Sequence, residues 1–66
     1  MWTEEDYTLV NFVVAGDIIK WNGVVIKVTD VFDEDDIRII GTDDMWEEDV
    51  EVVIPDCSSV PLMVWV

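Results

Sequence analysis

Asn22-Gly23 restricts more than any other feature what this chain can become. It stands between Ile18-Ile19-Lys20-Trp21 and Val24-Val25-Ile26-Lys27-Val28, two runs rich in β-branched residues. A two-residue type I′ turn needs positive φ at both central positions, and Asn-Gly is the dipeptide that tolerates this best. The stretch therefore reads as a β-hairpin whose register is pinned by its turn. Alternation then puts Val24, Ile26 and Val28 on one face and Val25, Lys27 and Thr29 on the other. The first set is wholly apolar and is the expected core face. Everything else in the chain has to close this hairpin into something compact.

With 66 residues there is room for one domain, near the small end of what folds alone. Size scaling gives such a domain a radius of gyration of roughly 11 Å. No disulfide can help, because Cys57 is the only cysteine. Yet 52% of the residues are hydrophobic and four are Trp, more apolar surface than so small a sphere can hide. Self-association is the simplest way to cover the remainder, so a homodimer or larger assembly is expected.

Sixteen Asp and Glu stand against Lys20, Lys27 and Arg38, with no His, for a net charge of −13. Such a surface repels nucleic acid and anionic membrane and attracts basic partners. Disordered acidic chains are poor in aromatic and β-branched residues, and this one is rich in both, so it reads as a folded acidic domain. The N-terminus, Met1-Trp2-Thr3-Glu4-Glu5-Asp6, is acidic rather than basic-then-apolar, which argues against a signal peptide and for a cytosolic compartment. No apolar run approaches the ~20 residues needed to span a bilayer.

In chain order, residues 1–6 read as frayed or as a short helical turn. Tyr7 to Val14 is β-prone and reads either as a first strand or as an arm lying across an open end or onto a neighbour. After the hairpin, alternation slips at Val31-Phe32, which predicts a bulge or sharp bend. Asp33-Glu34-Asp35-Asp36 is a turn. Ile37 to Ile40 is a strand stopped by Gly41, and Thr42 to Asp49 is a polar excursion carrying Met45 and Trp46. Val50 to Ile54 alternates again, with Val50, Val52 and Ile54 on one face, and Pro55 ends it. Pro55 to Ser59 has the composition of a 3₁₀ turn, and Val60 to Val66 is a last apolar strand with Pro61 near its start. The expected organisation is an N-terminal acidic segment, arm or extra strand over residues 1–15, then a small all-β barrel over 16–66.

Gly16-Asp17-Ile18-Ile19 opening a strand, the Asn22-Gly23 hairpin, the strand Val50 to Ile54, and Pro55 to Pro61 before a closing strand form a recognisable order. Over about Gly16 to Val66 the chain resembles the SH3-like small barrels in the broad sense that includes Tudor and KOW-type domains. The resemblance implies five or six short strands in a strongly bent antiparallel sheet, with a 3₁₀ turn before the last strand. It carries no ligand or site, since the polyproline-binding pattern of true Src-homology domains is not evident. The compact acidic chain also looks like the small orphan proteins of bacteriophage genomes, which implies an accessory or host-directed role.

Asp33 to Asp36 lack the alternating oxygens, central Gly and distal Glu of an EF-hand loop, and read as a solvated turn. Asp43, Asp44, Glu47, Glu48, Asp49 and Glu51 put six carboxylates into nine residues, either a face that keeps edges from aggregating or one that meets a partner. Crowding of this kind raises carboxyl pKa values and predicts greater stability at mildly acidic pH or in added salt. Acid–base chemistry by paired carboxylates needs a cleft for which a 66-residue barrel has little room, and without His the commonest general base is missing. There is no phosphate-binding glycine loop, no nucleophile with a base, and no Cys/His metal set; Cys57 reads as a small buried hydrophobe. No enzyme activity, cofactor or metal is expected.

Trp2, Trp21, Trp46 and Trp65, with Tyr7 and Phe32, could line an aromatic cage for a methylated lysine, a reading that Trp21 and Trp46 would test, although core or interface packing is expected for most of these rings. Trp46, inside the most acidic stretch, resembles a binding hot spot for a basic partner. The reading that follows is a non-enzymatic binding module. Its acidic surface imitates nucleic acid towards a basic, nucleic-acid-binding protein, through Asp33, Glu34, Asp35, Asp36, Asp43, Asp44, Glu47, Glu48 and Asp49 with Trp46 as apolar anchor. The alternative is a structural protein that homo-oligomerises through Leu9 to Val14 and Leu62 to Val66, its charge serving solubility alone.

Overall fold

The computed structural model describes all 66 residues. It is all-β: β1 (Trp2–Leu9), β2 (Ile18–Trp21), β3 (Val24–Asp33), β4 (Ile37–Asp43), β5 (Asp49–Ile54) and β6 (Ser59–Trp65), with a single 3₁₀ turn at Val10–Phe12. All six strands form one antiparallel sheet in the order β1-β6-β2-β3-β4-β5.

The β2–β3 hairpin is built as its turn dictates. Asn22 and Gly23 have φ of 49° and 81°, and the register runs Trp21↔Val24, Ile19↔Ile26. Ile19, Ile26 and Val28 are buried, with Trp21 and Val24 packed against them, so the apolar face of the hairpin is the core face. The slip in alternation comes from a bulge slightly earlier than Val31-Phe32. The β3–β4 register shifts between Val28 and Asp30, leaving Thr29 over. One extra residue reverses the parity, so Val31 joins the core side while Phe32 stays exposed.

Nine buried residues form one cluster: Val10, Val13, Ile19, Ile26, Val28, Ile37, Ile39, Ile54 and Val60. A single flat sheet has no second layer to bury them. With the smallest extent at 19 Å against about 10 Å between the faces of packed sheets, the sheet must curl over its own inner face. The radius of gyration is 10.7 Å.

Four local expectations are corrected. Residues 2–6 are neither frayed nor helical but belong to β1, because the apolar strand β6 takes them as a partner, Trp2↔Trp65 through Leu9↔Ser59. Gly41 does not stop β4, which continues to Asp43; here the missing side chain serves close packing against β3. The 3₁₀ turn does not precede β6. Pro55 to Ser58 is instead a tight turn closed by the Ser58 N–H donating to the Pro55 carbonyl at 3.1 Å, with Cys57 at φ 62°. The left-handed residue breaks the 3₁₀ geometry. The chain has its 3₁₀ turn at Val10–Phe12, where the Asn11 side chain accepts from the Cys57 N–H at 2.9 Å and donates to the Asp56 carboxylate. Finally, Cys57 is exposed rather than buried, because it occupies that turn.

Candidate functional site

The two acidic stretches lie at opposite ends of the β4–β5 hairpin. Asp33 closes β3, and Glu34, Asp35 and Asp36 form the β3–β4 turn, all four exposed. Asp43 closes β4, Asp44 to Glu48 make the next turn, and Asp49 opens β5. Six residues of β4, Ile37 to Thr42, lie between the two groups, a separation of roughly 20 Å at 3.3–3.4 Å per residue. They are two clusters and not one site. Glu51, on β5, stands between them and extends them into a discontinuous acidic line.

Cations are few within this line. Arg38 donates from Nε to Glu34 at 3.2 Å and from Nη1 to Glu51 at 3.3 Å, with its Cζ 4.2 Å from the Phe32 ring centroid. The hydrogen bond to Glu34 is the main cause that holds the guanidinium pKa above its ordinary value. Partial desolvation opposes it, and the charge of Glu34 and the contact with Glu51 add to it. Lys27 pairs with Asp44 at 3.4 Å. Asp36 accepts from the Asp56 N–H at 3.2 Å. Asp33, Asp35, Glu47 and Glu48 have side chains free of hydrogen bonds and ion pairs.

Asp43 has a structural task. Its Oδ1 accepts from the N–H groups of Met45 at 2.7 Å and Trp46 at 3.0 Å, while Glu47, at φ 53°, donates its N–H to the Asp43 carbonyl at 2.8 Å. This capped turn holds the Trp46 ring outward, 71% exposed. Beside it, Trp2 donates its indole N–H to Asp44 and meets Trp65 edge-on at 5.3 Å between centroids. Trp2, Val25, Met45 and Trp46 line a depression of about 190 Å³. Of the four Trp, Trp2 and Trp21 are half-buried and Trp46 and Trp65 exposed, so the rings pack at the surface more than in the core.

A larger groove of about 430 Å³ runs beside β5, walled by Trp21, Val24, Val50 and Val52 with Asp43 and Glu51 at its rim. Trp21 and Trp46 therefore line different cavities and do not make one aromatic cage. Known protein families, curated proteins and solved structures were compared with the chain, and none matches.

The wall of the groove did not stand out in the sequence as part of a site, and Glu51 did so only as a member of the acidic run. Glu51 was visible as the last carboxylate of the dense run, but its place between the clusters depends on the β4–β5 register, Ile40↔Glu51. The groove needs Trp21 and Val50 to Val53 brought together by the curl of the sheet, which no local pattern encodes. Elsewhere, the hydrogen bond to Glu4 and its charge push up the Tyr7 phenol. The charge of Asp56, with lesser help from desolvation, pushes up the Cys57 thiol. A raised thiol pKa means less thiolate, hence a sluggish nucleophile. No group of three or more His, Cys, Asp or Glu is arranged to hold a metal ion, and no helix is long and apolar enough to cross a membrane.

Proposed function

We propose that this protein is a non-enzymatic protein-binding module whose acidic surface engages a basic, nucleic-acid-binding protein in the place of nucleic acid. The observation that carries this reading is the pair of carboxylate turns at opposite ends of the β4–β5 hairpin, with Asp33–Asp36 and Glu47–Asp49 exposed, Asp43 and Asp44 half-buried, and Glu51 between them. A rigid array of negative charge spaced along one side of a small domain offers a lysine- and arginine-rich surface what a stretch of duplex backbone offers it. Trp46, exposed on its capped turn, supplies an apolar anchor among the charges. The bent sheet, its tight Asn22-Gly23 hairpin and the bulge in β3 support an SH3-like small barrel as the scaffold. An acidic chain of this size suits a host-directed protein of phage type acting in the cytoplasm.

A second reading, homo-oligomerisation, is favoured by a separate observation. Phe12, Val14, Val64, Trp65 and Val66 are exposed, although Val10, Val13 and Met63 of the same segments are buried in the domain itself.

The experiment is capture of partners from lysate at low and high salt, with the wild type and an Asp33→Lys, Asp35→Lys, Glu47→Lys, Glu48→Lys variant. These four side chains make no hydrogen bond or ion pair in the fold, so their reversal breaks none. Release of a basic nucleic-acid-binding protein by salt, and its loss from the variant, is the expected result. Recovery of the chain alone as a salt-resistant oligomer, equally from both, would replace this reading with assembly.

A further inference from the structure

We infer that the free edge of β5 is a strand-addition site for an extended basic peptide segment, an inference that rests on the acidic-surface reading and specifies how the partner is gripped. A six-stranded sheet that does not close leaves two edges, β1 and β5. They are not equivalent. β1 carries Glu4, Glu5 and Asp6, and its pairing with β6 is interrupted by a register shift between Glu4 and Asp6. Charge and irregularity of this kind blunt an edge against further pairing. β5 pairs with β4 in an unbroken register from Ile37↔Ile54 to Thr42↔Asp49. Its opposite side presents the backbone N–H and C=O groups of a regular strand with no strand to receive them.

The surroundings of that edge select the occupant. In an added strand, alternate side chains point to the inner face, and there the groove walled by Trp21, Val24, Val50 and Val52 receives them. Apolar residues at every second position fit it. The other side chains point outward, where Glu51 stands at mid-strand. Beyond the strand's ends the peptide meets Glu47, Glu48 and Asp49 on one side and the Asp33–Asp36 turn on the other. A segment with lysine or arginine alternating with aliphatic residues satisfies backbone, groove and charge together. Main-chain pairing gives such a site its affinity and the alternate pockets its specificity.

A second copy of this chain is the competing occupant, and charge opposes it. Two β5 edges laid antiparallel would bring the 47–49 carboxylates of each copy against the 33–36 carboxylates of the other, between molecules that each carry −13. Like charges so placed are destabilising. Pro55, directly after the strand, further limits how far an edge-to-edge pair could extend.

The test uses a synthetic heptapeptide of alternating lysine and valine, and the same peptide N-methylated at those amides that would face β5. Binding is followed by amide hydrogen exchange and chemical-shift changes of the full chain by NMR. Expected are new protection of the outward β5 amides, shifts at Trp21 and Val24, and affinity at least tenfold weaker for the N-methylated peptide. Equal, salt-sensitive binding of both peptides with no β5 protection would overturn strand addition and leave the acidic-surface reading standing. No binding of either peptide at low salt would overturn both. Protection of β5 that depends on protein concentration without peptide would assign the edge to a second copy and overturn the inference.

Discussion

Gly41 lies so close to Lys27 that a Cβ built on it would stand 2.4 Å from the Lys27 carbonyl oxygen, with Ile26 Cγ2 at 2.7 Å. The neighbour is backbone, and backbone of the central β3–β4 pairing next to the bulge at Thr29, so it cannot swing aside as a side chain would. Gly41→Ala should therefore force β3 and β4 apart and cost about 1–3 kcal/mol, the range for overpacked interiors. In a domain this small, that corresponds to a fall in Tm of roughly 5–20 °C. Thermal melting by circular dichroism checks it, and an unchanged Tm would mean that the two strands are not held at this spacing.

Asp43 separates charge from structure. Its Oδ1 caps two backbone N–H groups, those of Met45 and Trp46, and an asparagine oxygen can accept the same bonds without the charge. Asp43→Ala should lose about 1 kcal/mol of stability for the broken hydrogen bonds and loosen the turn that presents Trp46, seen as faster exchange of the amides of residues 45 and 46. Asp43→Asn should restore both. Equal behaviour of the two variants would show that the carboxylate acts there through its charge.

Tyr7 is the only tyrosine, so its titration can be followed alone by tyrosinate absorbance. Its hydroxyl donates to Glu4 at 2.9 Å, and that hydrogen bond, then the negative charge of Glu4, raises its pKa above the ordinary 10.0. The folded state thus keeps this proton to higher pH than the unfolded chain. The contribution is fully present below the unfolded pKa and is lost as pH rises through the raised folded value. Absorbance should change above pH 10 in the native protein, and Glu4→Gln should bring the midpoint back towards the ordinary value. A midpoint unaffected by the substitution would mean that the β1 pair does not form in solution.

What the residues disclosed of this fold tracks how local each determinant is. The β2–β3 hairpin was legible because Asn22-Gly23 sets its turn and register within ten residues. The acidic turns were legible for the same reason, since a run such as Asp33–Asp36 can hardly be anything but exposed. The 3₁₀ turn at Val10–Phe12 was not, because β-prone Val-Asn-Phe is held there by Asn11 reaching across to Asp56 and Cys57, a long-range bond that outweighs propensity. Residues 1–6 read by themselves as frayed or as a short helical turn, and Trp2–Asp6 become strand only because β6 is there to pair with them. The groove beside β5 was invisible for the strongest reason: Trp21 and Val52 share it only once the sheet has curled.

Salt should stabilise this protein, and the geometry says over what range. The two carboxylate turns are roughly 20 Å apart along β4, about two Debye lengths at 0.1 M ionic strength, so their mutual repulsion is already screened at ordinary salt. Repulsion within each turn is not, because neighbouring side chains there lie well inside the Debye length until it shrinks to about 3 Å near 1 M. Sodium chloride should accordingly keep raising Tm well beyond 0.1 M. At a few tenths of a kcal/mol per adjacent like-charge pair, the total gain is on the order of 1–2 kcal/mol. Replacing Asp33, Asp35, Glu47 and Glu48 by their amides should raise Tm at low salt and flatten its salt dependence, because these four carry no compensating contact that the substitution would break. A melting temperature indifferent to salt, or a less stable amide variant, would mean that the carboxylates are neutralised by contacts other than the pairs at Arg38 and Lys27. The acidic surface would then be less available to a basic partner than its exposure suggests.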